Sequence, residues 1–246
     1  MIKLDFFLLF ALLMLTNITT HYKPAQAQIN SSQKDTSAPP KPPSRGTPDG
    51  REGSATRSPC EKTSTSLPFT PLLPVFDDGF SGLTLKEHPT FWFFIPYKTD
   101  SVSSGKFVIR DQGSNTIYRT EFTLPKTPGF VSITIPNTEK PLENNKSYKW
   151  TLVLDCANQN SDQPPDVSHE GLVQKVDSPT LENQLKNANL TQRIKLYIDN
   201  KVLYDAANDL ANIRDIPDTW LMFLKSIELE KLKQEVIAGE VIKIEK

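Results

Sequence analysis

The 246 residues carry 28 Lys and Arg against 29 Asp and Glu, a net charge of −1 with no basic block. That balance excludes a nucleic-acid binder that works by neutralising phosphates. Two cysteines are too few for a cysteine-based zinc site, and the length suits one sizeable domain or two small ones.

Residues 1–27 read as a cleaved signal peptide. Lys3 supplies a weak positive start, partly offset by Asp5. Phe6 to Leu15 is an unbroken apolar run, too short to span a bilayer as a helix. Ala25-Gln26-Ala27 offers a small-residue cleavage site, so the mature chain is expected to start at Gln28. A retained membrane anchor is the alternative. Cleavage removes Lys3, Lys23 and Asp5 and shifts the net charge from −1 to −2. No cysteine stands at the cleavage site, so no lipid-modified terminus is expected. No later segment is long and apolar enough to cross a membrane. The expected location is periplasmic or extracellular.

Residues 28–59 form a Pro-rich linker. Asn30 to Pro59 contains no large apolar residue and carries Pro39, Pro40, Pro42, Pro43, Pro48 and Pro59. Such a segment buries too little surface to offset its ordering entropy, so disorder is expected. Its Pro-Pro-Lys-Pro-Pro piece favours polyproline II, as a spacer or as a docking peptide. Gly50, Arg51, Gly53 and Arg57 match no phosphate loop.

Residues 60–177 carry a β pattern. The densest apolar stretch runs from Gly82 to Tyr97 and holds Phe91, Trp92, Phe93, Phe94 and Ile95 between Pro89 and Pro96. It reads as a strand buried on both faces, with Trp92 in the core. Gly105 to Arg110 is the next strand, followed by a turn over Asp111–Asn115. Thr116 to Leu124 alternates, with Ile117, Tyr118, Phe122 and Leu124 as inward candidates. Phe130, Ile133 and Ile135 mark another strand. Tyr148, Trp150, Leu152 and Leu154 share one face of a further strand that ends at Cys156. Asn158 to Pro165 is a polar loop and Gly171 to Val176 a last short strand. This spacing predicts an antiparallel β-sandwich, immunoglobulin-like or jelly-roll-like. Cys60 and Cys156 either form one disulfide, as an even and sparse count in an exported chain suggests, or remain two buried thiols.

Residues 178–246 switch to a helical period. Leu181, Leu185 and Ala188 form one stripe, Ile194, Tyr197 and Ile198 a second, and Val202, Ala206, Leu210 and Ile213 a third. Asn200 ends one helix and Pro217 fits the first turn of the next. Trp220 falls in an apolar stripe, and Leu229, Leu232 and Val236 suggest a final turn or two. One tetratricopeptide-like stretch without a repeat is not stable alone. The fold class is therefore α+β, a sandwich followed by a small C-terminal helical cap.

Candidate chemistry is sparse. After residue 27 the histidines are His88 and His169, in the pairs Glu87-His88 and His169-Glu170. An imidazole beside a carboxylate is a candidate general base, but neighbours on a strand face opposite ways. The structural readings are a turn residue for His88 and a solvated loop end for His169. Glu87, Glu121 and Asp155 are candidate carboxylates for hydrolysis. No nucleophile elbow, zincin, phosphate-loop or dinucleotide motif occurs. Asp77-Asp78-Gly79 starts like a calcium loop without its later acceptors. No metal or cofactor is expected.

Gly50-Arg51…Gly53…Arg57…Cys60, the stretch GLTLKEHPTFWFFIPY, Tyr118-Arg119-Thr120-Glu121-Phe122-Thr123-Leu124-Pro125 and Tyr148…Trp150…Cys156 together resemble the exported cyanobacterial domain-of-unknown-function 928 family. The likeness runs from about Gly50 to Tyr204-Asp205. The chain departs from the relatives at Leu172, where they carry an aromatic, and in a less glycine-rich Arg/Gly segment. The resemblance implies a cyanobacterial envelope protein and carries over no activity and no site residue. The expected function is a non-enzymatic binding module for an envelope protein or glycan, through loops at one end of the sandwich. A periplasmic hydrolase with His88 or His169 as base, or a structural wall protein, are the alternatives.

Overall fold

The computed structural model describes Cys60 and residues 67–76, 79–157 and 166–244. The signal peptide 1–27, the linker 28–59 with its Arg/Gly segment, the Asp77-Asp78 pair and the loop from Asn158 to Pro165 lie outside the described residues.

The strands follow the apolar punctuation of the sequence. Short β1 (Thr70–Pro71) and β2 (Val75–Phe76) precede β3 (Gly79–Thr84) and the aromatic β4 (Thr90–Ile95). Long β5 (Val102–Arg110) and β6 (Thr116–Thr123) form a hairpin, then come β7 (Gly129–Thr134), β8 (Ser147–Cys156) and β9 (Asp166–Lys175). Five helices follow: α1 (Pro179–Lys186), α2 (Leu190–Asp199), α3 (Leu203–Asn208), α4 (Leu210–Ile213) and α5 (Pro217–Ser226). Pro217 does open α5, and Asn200 caps α2. The third apolar stripe is not one helix, because the chain breaks at Asp209 between α3 and α4.

The chain then returns to strand. After a short 3-10 turn, β10 (Ile237–Glu240) and β11 (Ile242–Lys243) replace the expected final helical turns. β10 joins a four-stranded sheet of order β1-β4-β7-β10, and β11 joins a seven-stranded sheet of order β11-β6-β5-β8-β9-β3-β2. Only Val241, which is buried, separates them.

The sheets are mixed rather than antiparallel. Most neighbours pair antiparallel, but β3 runs parallel to β9, with Phe80 opposite Gly171, and β10 runs parallel to β7. Parallel pairs need a long crossover, and both arise between segments far apart in sequence.

Phe91 and Phe93 on β4 face Phe107 and Trp150 across the sheets, at ring separations of 4.9 Å for Phe91–Phe107 and 5.6 Å for Phe93–Trp150. Phe94, on the opposite face, packs on Phe130 at 5.7 Å, and Phe130 meets Trp220 of α5 edge-on at 5.6 Å. α5 thus covers the outer face of the smaller sheet, whereas Tyr204 of α3 packs on the inward-facing Phe91 at 5.1 Å. β4 is buried on both faces as its composition predicts, except at Thr90 and Trp92, which are half-buried. In β6 the pleat turns Tyr118, Thr120 and Phe122 inward and leaves Ile117 partly exposed, since adjacent residues cannot share a face.

One hydrogen-bonded chain pins the helical layer to the core. Trp150 Nε1–H donates to the Tyr204 hydroxyl (2.6 Å), which donates to the carbonyl of Leu172 (2.8 Å). All three groups are buried, so each finds the partner that burial demands. Cys60 and Cys156 form a disulfide, with Cα atoms 5.0 Å apart and 96 positions between them in sequence.

Candidate functional site

Each histidine donates to a main-chain carbonyl, and neither bonds to the glutamate beside it in sequence. His88 is half-buried just before β4, and its Nε2–H donates to the carbonyl oxygen of Glu139 at 3.1 Å. The adjacent Glu87 side chain is exposed, and its carbonyl accepts from Leu142 N–H at 3.0 Å. The pair serves to tie the approach to β4 against the loop after β7.

His169 overturns the expectation of a solvated loop end. It lies inside β9, 2% exposed, between the rings of Phe69 at 4.6 Å and Phe80 at 5.2 Å. Its Nε2–H donates to the Phe69 carbonyl at 2.7 Å. Glu170 faces the other side of the sheet and pairs there with Lys149 at 2.7 Å. Strand alternation separates the two side chains, as the pleat requires.

The remaining carboxylates are spread over the outer face of the large sheet. Asp155 accepts from Ser104 Oγ–H at 2.6 Å and approaches Lys106 Nζ at 3.8 Å. Glu121 stands directly opposite Lys106 across the β5–β6 ladder. Asp111 is used within its own turn, where Asn115 donates to it from both main chain (2.8 Å) and side chain (2.9 Å). Those Asn115 bonds hold its carboxyl below the usual range. Among the described residues no group of three His, Cys, Asp or Glu is placed to hold a metal ion. Among them, too, no helix is long and apolar enough to cross a membrane.

Among the described residues, two concavities on the sandwich are wide enough to admit water. One, of about 160 Å³, lies between the Asp111–Gly113 turn and Glu143, Lys146 and Tyr148. Its polar groups are already engaged: Lys146 bonds Glu143 at 2.7 Å, and Glu143 N–H donates to the Tyr148 hydroxyl at 2.9 Å.

The other is larger, about 400 Å³, and runs along β6, with Tyr118, Arg119, Thr120 and Glu121 on one side and Pro136 and Glu139 on the other. Lys243 and Ile244, at the end of β11, close one end. Tyr118 is 4% exposed, and its hydroxyl is buried without a hydrogen-bond partner among the described residues. An unmet buried hydroxyl costs about 1–3 kcal/mol, so this wall of the groove is not optimised for stability alone. Tyr118 was legible in the sequence only as an inward aromatic, because pairing of its hydroxyl depends on segments far along the chain.

A second buried polar group stands away from both grooves. Asp205 on α3 is 2% exposed, its Oδ2 accepts from Leu85 N–H at 2.8 Å, and the Thr84 side chain lies beside its carboxyl. Burial pushes its carboxyl up to about 6, against the opposing hydrogen bond from Leu85 and the nearby Lys86 charge. Nothing in the sequence pattern distinguished it from any other helical Asp.

A family model described as Domain of Unknown Function (DUF928) matches residues 52–237. No curated protein and no solved structure matches the chain.

Proposed function

The chain belongs to the DUF928 family, and from that premise and its own geometry we propose that it is an exported envelope protein that works as a non-enzymatic binding module. The observation that carries this reading is the groove along β6, an open concavity with an unsatisfied buried hydroxyl in its wall. A preformed cleft with convergent polar groups is the usual form of a binding site. The histidines give the reading indirect support, because each donates to a main-chain carbonyl. Export is supported by the apolar run and Ala-x-Ala site of residues 1–27, and by a disulfide, which persists in oxidising compartments. The resemblance to an exported cyanobacterial family supports the envelope as its location and an envelope protein or glycan as its partner.

Fractionation of cells expressing the full chain tests the reading. The expected product starts at Gln28, lies outside the inner membrane, carries oxidised Cys60 and Cys156, and retains an envelope component on affinity capture. A full-length cytoplasmic product with reduced thiols would overturn the export half. An empty capture from envelope protein and glycan pools would overturn the binding half.

A further inference from the structure

We propose that the smaller concavity, between the turn over residues 111–115 and residues 143–148, binds one neutral hexopyranose unit of a glycan. The inference rests on the binding-module reading, adds a site to it and names its ligand class.

Both walls are tied down within the protein. On one side Asn115 N–H donates to Asp111 Oδ1 at 2.8 Å, and Ser114 N–H donates to the Asp111 carbonyl at 3.0 Å. On the other side Lys175, 7% exposed at the end of β9, donates from its ammonium to the Asn144 side-chain carbonyl. Asn145 N–H donates to the Lys175 carbonyl at 2.8 Å, so two bonds hold this second turn. Groups fixed in advance lose little freedom on binding. The site lies at the Ser147 end of β8. Cys156, which leads into the loop from Asn158, stands at the other end of this 10-residue strand, about 30 Å away. β11 meets β6 at Phe122 and Thr123, the end away from Ile117.

The bonds among the lining groups orient them and leave capacity unused. Tyr148 is 2% exposed; its hydroxyl accepts from Glu143 N–H, and its own proton has no acceptor among the described residues. The Ser147 hydroxyl, also in the lining, has no partner among them. Glu143 gives Oε2 to Lys146 at 2.7 Å, while its Oε1 stands 3.7 Å from Lys140, beyond hydrogen-bond reach. A buried donor, a free hydroxyl and a carboxylate oxygen together suit a polyol, because each sugar hydroxyl both donates and accepts. Charge and size narrow the class. The Asp111 and Glu143 carboxylates are offset by Lys140 and Lys146, so no net charge selects an ion. The volume of about 160 Å³ equals about five waters at about 30 Å³ each, roughly half the lower bound for drug-sized ligands. One pyranose ring with an edge in solvent fits that space, and a peptide strand does not. Half-buried Ile117 supplies apolar contact for the ring C–H groups.

The test uses the oxidised protein and the methyl pyranosides of glucose, galactose and mannose, with inorganic phosphate and methylammonium as ionic controls. The expected result is that at least one glycoside shifts the amide NMR signals of Gly113 and Tyr148 with a millimolar Kd, the strength one small ring can supply. Ser147→Ala removes a half-buried hydroxyl and spares the core, so it should weaken that glycoside several-fold at unchanged Tm. Tyr148→Phe should weaken it about tenfold. This second variant also leaves Glu143 N–H without its acceptor, so its binding is read well below its lowered Tm. Silence from all three glycosides at saturating concentration, shifts confined to another face, or a Kd unchanged in both variants would overturn the proposal. So would phosphate or methylammonium giving these shifts where no glycoside does, which would assign the concavity to an ion. If no glycoside binds but envelope capture succeeds, the binding-module reading survives without this site. If a glycoside binds here but capture from both pools is empty, the site survives and the envelope partner does not.

Discussion

Asp205 shows how a single buried group sets the response to pH. Its carboxyl, ordinarily near 3.8, is raised to about 6 chiefly by burial, with Lys86, Asp209 and the Tyr197 hydroxyl as the ionisable neighbours. The folded state therefore holds this proton more tightly than the unfolded chain. Its contribution is most favourable below the unfolded value and is lost as pH rises from about 3.8 to about 6. The cost above that window is ~3 kcal/mol by the conversion of 1.36 kcal/mol per unit. Asp205→Asn keeps an acceptor for Leu85 N–H and can turn its amide toward Thr84 Oγ1. We expect it to raise Tm at pH 7.5 and to change it little at pH 4, as thermal melts across that range would read. A loss of Tm confined to pH 7.5 would show that the charge itself is used. None of this was legible in the sequence. The apolar spacing of Val202, Ala206, Leu210 and Ile213 announced a helix, but depth and partners depend on β3, more than a hundred positions earlier.

At the scale of elements, the strand containing Phe91 to Ile95 was readable because a short run of large apolar residues between prolines has few other solutions. Its two buried faces follow from a three-layer arrangement that the composition already demanded. The return to strand after α5 was not readable. Val236, Ile237 and Ile242 carry too little periodicity to distinguish a helical turn from an edge strand, and the β7 and β6 edges that recruit them are distant. The turn into β10 depends on Gly129, whose φ is +153° and where an added Cβ would lie 2.6 Å from the Val236 carbonyl oxygen. Phe130 N–H donates to that same carbonyl at 2.8 Å. Gly129→Ala must therefore push the C-terminal segment off the β7 edge. We expect a loss of about 1–3 kcal/mol on denaturation, the usual range for overpacking. Hydrogen exchange should quicken from Ile237 to Ile242 while β8 stays protected. Unchanged exchange in that segment would mean that β10 is held by the helices alone.

For the whole molecule, the disulfide is the longest covalent constraint, and the sequence left its pairing open against two buried thiols. It ties residue 60 to the end of β8 across 96 positions. A loop of that size is worth ~4–5 kcal/mol in the chain-entropy model. Replacing both cysteines, as Cys60→Ser with Cys156→Ser, is expected to lower the denaturation midpoint strongly, and reducing the wild type should do the same. A midpoint that ignores reductant would show that the sandwich needs no covalent tie.

The pairing of remote segments has a temporal consequence. Phe80 meets Gly171, Phe130 meets Ile237 and Phe122 meets Lys243, so both sheets are completed only by contacts of high sequence separation. Chains of such high contact order fold in milliseconds to seconds rather than microseconds. For that whole interval Thr90 to Ile95 stays uncovered, an uncharged β-prone hexamer of the kind that nucleates aggregation. A slow folder requires escort: a holdase that shields Phe91 to Ile95 should raise the yield of native protein more than any change of buffer.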